Sequence, residues 1–489
     1  MYDLLIRDTR RRQSAVGGDR SLLSNAESDR ARLIFSGPFR RLQQKTQVFP
    51  LERNAQVRTR LTHSIEVAQI GRYISQLVAE DAAASSLFAA LNPVFPTFVE
   101  TACLMHDIGN PPFGHFGESA IRRWFNNNAS SMFQLSHADL GTECGTAFSH
   151  FSVNLQPDFT YFDGNCQGFR IVSRLQSETD GFGLNQTFTQ MATFLKYVCS
   201  TSDISRGSDN KFSGVKFAHK AGYFVSEEDI ATQMWEAVNL KPHRRFPLAY
   251  IMEAADDIAY CLSDIEDAIE KRVASFQTFR EYLVANAPND PTTLNNILAK
   301  TSESNDVANL LTFKTTLTNL LCAAVAKTYV SKHTAVYNGE ACSLLEECPD
   351  ETLTGILNLA KDFARAKIYN TASIRSLELT GFKAISGILD HFRPLLELSR
   401  GDFDQLLNGR SNTINGRSLS VEAHLMCLFP RKHVRVYREA VTSIGGLPKD
   451  RAREWFHRCH LLTDCVSGMT DGFALETYQQ LQGIRIDQR

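Results

Sequence analysis

The sequence lacks long apolar runs, paired cysteine motifs and an excess of charge of one sign. No apolar window is long enough to cross a bilayer, and the start MYDLLIRDTRRRQ holds only a short apolar run at 4–6, so neither a membrane span nor a signal peptide is predicted. The eleven cysteines include no Cys-x-x-Cys pair and are odd in number, which indicates a reducing compartment. We therefore expect a soluble, cytoplasmic protein with no membrane partner.

The charges nearly cancel, with 52 basic residues against 54 acidic ones and a formal net charge of -2. This balance gives no global electrostatic reason to expect nucleic acid or an acidic membrane as the main partner. With 43% hydrophobic residues over 489 positions, the chain has ample material for a large core. A stable globular protein is expected.

Apolar residues recur at three- and four-residue spacing, which predicts a mainly α fold. Examples are the series Val67, Ile70, Ile74 and Val78 and the series Ile251, Ala255, Ile258, Leu262, Ile265 and Ile269. Turn-forming residues at 109–112, 200–214 and 286–291 predict loops between helices. Because no internal repeat or low-complexity tract stands out, we divide the chain into a catalytic lobe, residues 1–275, and a helical lobe, residues 276–489.

Three segments combine histidine and carboxylate residues in a way that suits a metal site. They are RTRLTHSIEV with His63, CLMHDIGNPPFGHFGE with His106 and Asp107, and MEAADDIAYCLSD with Asp256. Taken singly, each also has a structural explanation, as a polar helix end or a solvated acidic face. Taken together, two imidazoles and two carboxylates suit Mg²⁺ or Mn²⁺, with open positions for water and phosphate oxygen, better than structural zinc.

A second pair of titratable residues follows the Pro-Pro-Phe-Gly turn at 111–114. His115 and Glu118 are three residues apart, so on a helix they share one face. The turn is expected to return them toward the same ion as an acid–base pair.

The order of His63, His106-Asp107 and Asp256 resembles the H…HD…D signature of the HD superfamily of phosphohydrolases. A bare HD dipeptide is weak evidence, but four longer segments closely resemble bacterial deoxyguanosine triphosphate triphosphohydrolases. They are residues 40–67, 103–118, 245–272 and 466–478. The likeness runs over almost the whole chain, with divergence at the amino terminus, at 126–158 and at 275–370.

This resemblance implies a helical HD core with an additional helical carboxy-terminal lobe, assembled as a homohexamer. It implies metal-dependent hydrolysis of dGTP to deoxyguanosine and tripolyphosphate, with Mg²⁺ or Mn²⁺ as cofactor. The metal ligands carry over to His63, His106, Asp107 and Asp256. Asp256 is chosen over Asp257 because the family places a tyrosine and an aspartate four and eight residues after the ligand, and Tyr260 and Asp264 fit only that register.

The resemblance also implies the residues that contact substrate. Gln47 and Arg60 correspond to positions near the sugar and phosphates, and Tyr260 and Asp264 share a helical strip with the metal ligand. The remaining contacts are Asn165 and Gln167 beside the metal, and Lys196, Tyr197 and Lys220 on the triphosphate. His115, oriented by Glu118, carries the proton transfer, as acid or as base.

Residues that read the guanine are less clear from the sequence. Arg431, Arg435 and Arg458 are candidates, but solvated helix faces explain such arginines equally well. Single-stranded DNA is conceivable as an effector in this family, although no aromatic–basic alternation supports it here.

Two other functions compete with this interpretation. The first is another HD-type nucleotide phosphohydrolase, with broad deoxynucleotide preference or with phosphomonoesterase or cyclic phosphodiesterase activity. The second is a non-catalytic nucleotide- or DNA-binding module with a vestigial HD site. The presence of all four predicted ligands and of His115 argues against the second.

Overall fold

The computed structural model describes residues 2–14, 20–81, 94–176, 180–206, 216–287, 290–301, 305–409, 413–414 and 417–484. Within these ranges the chain is mainly α-helical, which confirms the predicted fold class. The first half contains α1 Leu22–Ile34, α2 Gly37–Arg41, α3 Arg60–Glu80, α4 Val94–Met105, α5 Gly114–Ser136, α6 Cys144–Asn154, α7 Pro157–Thr160, α8 Gly164–Arg170, α9 Phe188–Phe194, α10 Thr201–Ser205, α11 Glu228–Ala237 and α12 Pro247–Glu270.

The second half of the described chain continues this helical pattern. It contains α13 Phe276–Ala285, α14 Thr292–Leu298, α15 Asp306–Ser331, α16 His333–Tyr337, α17 Glu351–Lys367, α18 Ala372–Glu397, α19 Arg400–Leu407, α20 Ser420–Met426, α21 Arg431–Val441, α22 Pro448–Ser467 and α23 Asp471–Leu481. Short 3₁₀-helices lie at Tyr2–Leu4, Leu42–Gln44, Ala138–Glu143 and Val225–Glu227, and a π-helix lies at Ile171–Leu175.

In the part of the chain that the structure describes, the strands form two short pairs. β1 Cys199–Ser200 pairs in parallel with β2 Ala221–Tyr223. β3 Thr413–Ile414 pairs antiparallel with β4 Arg417–Ser418. Each pair is too short to form a layer, so the packing of helices determines the architecture.

Helix α3, which carries His63, begins directly after a capping residue, Thr59. The Thr59 hydroxyl accepts from the backbone N–H of Thr62, and the Thr62 hydroxyl accepts from that of Thr59, which closes a capping box in front of Arg60. Val67, Ile74 and Val78 then lie buried along one face of α3, as their spacing predicts. That face packs against α4 and α12, the other two helices of the predicted metal site.

Two hydrophobic clusters hold the helices together. The first joins residues of α1, α3, α4 and α12 to residues of α13, α15 and α17. The second joins residues of α5 to α7 to residues of α18 to α22. Each cluster therefore draws side chains from both sides of position 275.

One predicted loop contains a helix. The 200–214 stretch was expected to be irregular, but Thr201–Ser205 forms α10 because Ser200 and Asp203 close a second capping box. Residues 207–215 lie outside the described chain. Gly109–Pro112 is a turn between α4 and α5, as predicted.

None of the helices in the described ranges combines the length and the apolar character that crossing a bilayer requires.

A fully buried carboxyl, Asp158, lies in the second cluster. Its oxygens accept from the backbone N–H of Val225 at 2.8 Å and from the Thr201 hydroxyl, and His460 Nε2 lies 3.0 Å away. Burial raises the pKa of Asp158 to about 7 and lowers that of His460 well below its usual value. Asp158 therefore gains its charge only as the pH approaches neutrality.

The stability of Asp158→Asn relative to the wild type should rise as the pH increases toward neutrality. Because the folded pKa of Asp158 lies above the unfolded value of 3.8, the contribution of the protonated carboxyl to the free energy of unfolding is complete below pH 3.8 and is lost as the pH rises toward 7. The amide stays neutral throughout, so the difference in stability between the two proteins should change by up to about 4 kcal/mol between acidic pH and pH 8. Urea denaturation at pH 5, 6, 7 and 8 measures the difference. If the stability of the two proteins changed in parallel with pH, the raised pKa of Asp158 would be contradicted. Asp139→Asn, which changes a half-exposed carboxyl, serves as the control.

Candidate metal centre and cavity

The ends of two helices bring the histidines of the predicted metal set together. His63 lies in the first turn of α3, and His106 and Asp107 directly follow α4. The rings of His63 and His106 lie 5.3 Å apart between centroids. Asp256 reaches them from α12, with Oδ1 3.3 Å from Nε2 of His63 and 3.4 Å from Nε2 of His106. Asp256 therefore contacts both histidines, and Asp107 approaches the same pair, with Oδ1 3.7 Å from Nε2 of His106.

The spacing of these ligand atoms fits one divalent ion. One ligand atom from each of His63, His106 and Asp107 lies within 4.8 Å of the others. Adjacent ligands of an octahedral ion with bonds of about 2.1 Å lie about 3 Å apart, close to the distances that Asp256 makes. The Nδ1 of His106 lies 2.7 Å from the Cys103 carbonyl oxygen, so the neutral ring donates there and carries its lone pair on Nε2.

The carboxylates of the set are ionised at neutral pH. Burial by itself would raise the pKa of Asp107, but Arg60, with Nη1 2.7 Å from Oδ2, and His106 lower it to about 2. Burial acts in the same direction on Asp256, and Lys196, with Nζ 3.1 Å from Oδ2, holds its pKa well below the usual value. Metal binding requires deprotonated carboxylates, so this charge arrangement fits a cation.

The two neighbouring aspartates of α12 have different surroundings. Asp256 faces the histidines, whereas the carboxylate of Asp257 lies 3.0 Å from Lys361 Nζ. Tyr260 and Asp264 follow Asp256 along the same strip and line the same cavity. The solvated acidic face that the sequence also allowed is not observed, because Asp264 is buried.

His115 and Glu118 form a hydrogen-bonded pair at the cavity mouth. The His115 side chain is 81% exposed, and its Nδ1 lies 3.0 Å from Oε2 of buried Glu118. The backbone N–H of Gly164 donates to Oε1 of Glu118 at 2.9 Å, which fixes that carboxylate. The hydrogen bond and negative charge of Glu118 raise the pKa of His115, so the imidazolium form is favoured.

The metal set and this pair line one cavity of about 650 Å³, a volume suited to a nucleotide. The structure brings fourteen of the fifteen predicted site residues to its walls: His63, His106, Asp107, Asp256, His115, Glu118, Gln47, Arg60, Asn165, Lys196, Tyr197, Lys220, Tyr260 and Asp264. These residues come from segments far apart in the chain, so their convergence is a property of the fold.

Gln167 is the predicted residue that lies outside this cavity. Its side chain is buried, and Nε2 donates to Asp464 at 3.0 Å. Asn165, two residues earlier, lines the cavity because successive positions of α8 point in different directions. The arginine candidates for base recognition also lie elsewhere: Arg458 is buried against Glu454, and neither Arg431 nor Arg435 lines the cavity.

The helical lobe 276–489, expected from the family resemblance to contribute to the substrate pocket, supplies wall residues that the sequence did not identify individually. Arg365, Tyr369, Ile374 and Glu378, from α17, α18 and the connection between them, face the strip of α12. The Tyr369 hydroxyl donates to Asp264 at 2.5 Å, and burial raises the pKa of that carboxyl to about 7. Arg365 and Tyr369 lie in the divergent stretch 275–370, so no motif signalled them.

Two buried residues that the sequence did not single out hold the cavity rim in place. Asp471 accepts from the backbone N–H of Thr46 at 2.9 Å and from that of Phe113 at 3.0 Å. Lys45 donates to the carbonyl oxygen of Ser467 at 2.9 Å and to that of Asn110. Both lie within segments that carry the resemblance, 40–67 and 466–478, which is the signal that could have identified them. They position the backbone next to Gln47 and ahead of His115.

Comparisons with known proteins agree with this geometry. Residues 60–146 match the HD domain family. The chain is 35% identical to the deoxyguanosinetriphosphate triphosphohydrolase of Klebsiella pneumoniae, over 96% of each chain. It is 36% identical to the proteins of that name from Cronobacter sakazakii, over 97% of each chain, and Salmonella arizonae, over 97% of this chain and 96% of the relative.

Proposed function

This chain belongs to the deoxyguanosinetriphosphate triphosphohydrolase family, and from that membership we propose that it hydrolyses dGTP to deoxyguanosine and inorganic tripolyphosphate. The observation that carries the proposal is the convergence of the two histidines and two carboxylates in a cavity that also holds Arg60, Lys196 and Lys220. Cations of this kind are natural partners of a triphosphate.

The cofactor is proposed to be Mg²⁺ or Mn²⁺, held by His63, His106, Asp107 and Asp256. When bound, such an ion supplies Lewis-acid polarisation of a phosphate oxygen. Lys196 Nζ donates one of its three N–H groups to Asp256, and Arg60 Nη1 donates to Asp107. Both side chains therefore keep further N–H donors for phosphate. Their charges stabilise the negative charge that develops as water attacks the α-phosphorus.

His115 is proposed to act as the general acid. Glu118 favours the imidazolium, and with Nδ1 bonded to Glu118, the proton on Nε2 is the one available to the substrate. As the bond from the α-phosphorus to the 5′ oxygen breaks, that oxygen gains charge, and His115 protonates it so that deoxyguanosine leaves neutral.

Discrimination against a ribose is proposed to involve Gln47 and Tyr260. Among the described residues, Gln47 Oε1 is buried without a hydrogen-bond partner, so it is an acceptor suited to the 3′ hydroxyl of a deoxyribose, which would leave it unavailable to a 2′ hydroxyl. Tyr260 presents a half-buried ring to the same cavity. A 2′ hydroxyl would displace a packed contact or remain unpaired, at a cost of roughly 1–3 kcal/mol.

Product analysis with the four dNTPs, GTP and Mn²⁺ tests the activity and the preference together. We expect tripolyphosphate and deoxyguanosine as the only products from dGTP, and a kcat/KM for GTP lower by about 10- to 150-fold. Orthophosphate or pyrophosphate would favour the rival HD-type phosphohydrolase. Equal efficiency on GTP and dGTP would remove the proposed sugar discrimination, and the absence of turnover with metal would favour a binding module.

We also propose an oligomeric state, an effector and a cellular location for the protein. The family resemblance alone supports a homohexamer and single-stranded DNA as an effector. Light scattering after size-exclusion chromatography tests the first, and dGTP turnover with and without an oligonucleotide tests the second. None of the eleven cysteines is in a disulfide, which supports the proposed cytoplasmic location.

A further inference from the structure

A second cluster of metal-ligand side chains lies outside the cavity. Cys199 is in β1, Asp203 is in α10, and His243 is in the loop between α11 and α12. A thiol sulfur, a carboxylate oxygen and a ring nitrogen of these residues all lie within 4.8 Å of one another. The cluster shares no residue with the metal set at His63.

Each side chain is held in place by the backbone around it. Asp203 accepts from the backbone N–H of Ser200 at 3.0 Å, as the last residue of the capping box. The Nδ1 of His243 lies 2.9 Å from the Val198 carbonyl oxygen, so the neutral ring carries its lone pair on Nε2. Metal-ligating histidines bond to backbone carbonyls in the same way. His243 also adopts a left-handed conformation, with φ of 60°, which is uncommon for a residue other than glycine.

Apolar burial of Cys199 does not by itself account for this arrangement. Cys199 is fully buried, and small buried cysteines are common core residues. The capping box accounts for the position of Asp203, but neither capping nor apolar burial requires the imidazole of His243, from a distant loop, beside the same sulfur. The aromatic ring of Trp235 lies 5.5 Å from that of His243 and forms an apolar wall on one side of the cluster.

We propose that Cys199, Asp203 and His243 bind a transition-metal ion of the Zn²⁺ type. A thiolate, an imidazole and a carboxylate form a softer set than the one in the cavity, and they select Zn²⁺ or Co²⁺ over Mg²⁺. The thiolate and the carboxylate together neutralise a divalent charge. Binding releases the thiol proton to solvent, and three protein ligands leave one tetrahedral position for water.

The position of the cluster gives the ion a structural role. β1 directly continues the segment that carries Lys196 and Tyr197, and Arg245 donates to the carbonyl oxygen of Lys196 from just beyond His243. An ion at the cluster therefore joins the segment that carries Lys196 and Tyr197 to the loop that leads into α12. It stabilises the fold there without entering the cavity.

Cobalt titration of chelator-treated, full-length protein tests the proposal. Only a thiolate ligand gives a near-ultraviolet charge-transfer band with Co²⁺, and the cavity set contains no cysteine. We expect two Co²⁺ per chain, the charge-transfer band, and partial quenching of the tryptophan fluorescence, to which Trp235 contributes as one of three tryptophans. Cys199→Ala and His243→Ala should each lose the band and one Co²⁺, whereas Asp256→Asn should lose the other Co²⁺ and keep the band.

Controls separate site loss from unfolding. Cys144→Ser changes a half-buried cysteine outside the cluster and should keep the band. Circular dichroism checks that each variant is folded, and the added Co²⁺ should raise the Tm of the wild type more than that of folded His243→Ala. One Co²⁺ per chain without a charge-transfer band, or an unchanged band in both cluster variants, would overturn the proposal. Because the readouts are spectroscopic, they do not depend on dGTP hydrolysis.

Discussion

Asp256→Asn should lose the cavity metal and lower kcat by at least about 10³-fold. The change removes a carboxylate that lies within 3.4 Å of both histidines of the proposed metal set, and an amide is a poor ligand for a cation that already has few anionic partners. Loss of a catalytic cation costs several kcal/mol of transition-state stabilisation, and each 1.36 kcal/mol is a factor of ten. Asparagine is preferred to alanine because its oxygen still accepts from Lys196, which keeps that buried ammonium partnered.

Asp257→Asn is the matched control for this experiment. Its carboxylate is partly exposed and pairs with Lys361, so metal stoichiometry should stay unchanged and any loss of stability should be small. Manganese content after gel filtration, measured by atomic emission, reports the metal, and product release from dGTP reports turnover. If Asp257→Asn lost the metal and Asp256→Asn kept it, the assignment of the ligand on α12 would be wrong.

His115→Ala should keep metal and dGTP binding while lowering the single-turnover rate by about 10²- to 10⁴-fold. That factor is the usual contribution of a positioned general acid. Because the side chain is 81% exposed, its removal should leave stability nearly unchanged. Calorimetry with a non-hydrolysable dGTP analogue measures binding, and rapid quench measures the chemical step. Loss of metal in His115→Ala would show that the residue is a ligand or a structural element.

Glu118→Gln should have a smaller effect on rate and a distinct effect on pH dependence. The carboxylate raises the pKa of His115, so without its charge the imidazolium deprotonates at lower pH. The alkaline limb of the kcat profile should therefore move to lower pH in the variant. A uniform drop in rate with an unmoved limb would instead indicate that Glu118 acts only by orienting the ring.

The residues of the proposed metal set could be picked out from the sequence because they lie in local motifs. His63 follows a capping signal at Thr59, and His106-Asp107 ends an apolar helix before a Gly-Asn-Pro-Pro turn. On α12, helical periodicity relates Asp256 to Tyr260 and Asp264. Such features depend on neighbouring residues and on helical periodicity, so they can be recognised in the sequence before the fold is known.

The direction of the Gln167 side chain could not be predicted from its motif. Gln167 lies two residues from Asn165 on α8, but the helix directs its amide toward Asp464 of α22. A motif identifies a segment near the cavity without specifying which of its side chains face it. That choice depends on the rotation of α8 against its neighbours, which the sequence pattern does not contain.

Local spacing and motif order were enough to predict the helical class and the family, and to nominate the residues that we propose carry the chemistry. Which side chains lie together in one space could be read only from the packing of the helices. That packing placed Tyr369 against Asp264, Asp471 between Thr46 and Phe113, and His243 beside Cys199. These contacts join residues separated by tens to hundreds of positions. They arise from the packing of helices around two shared cores, which depends on the whole chain at once.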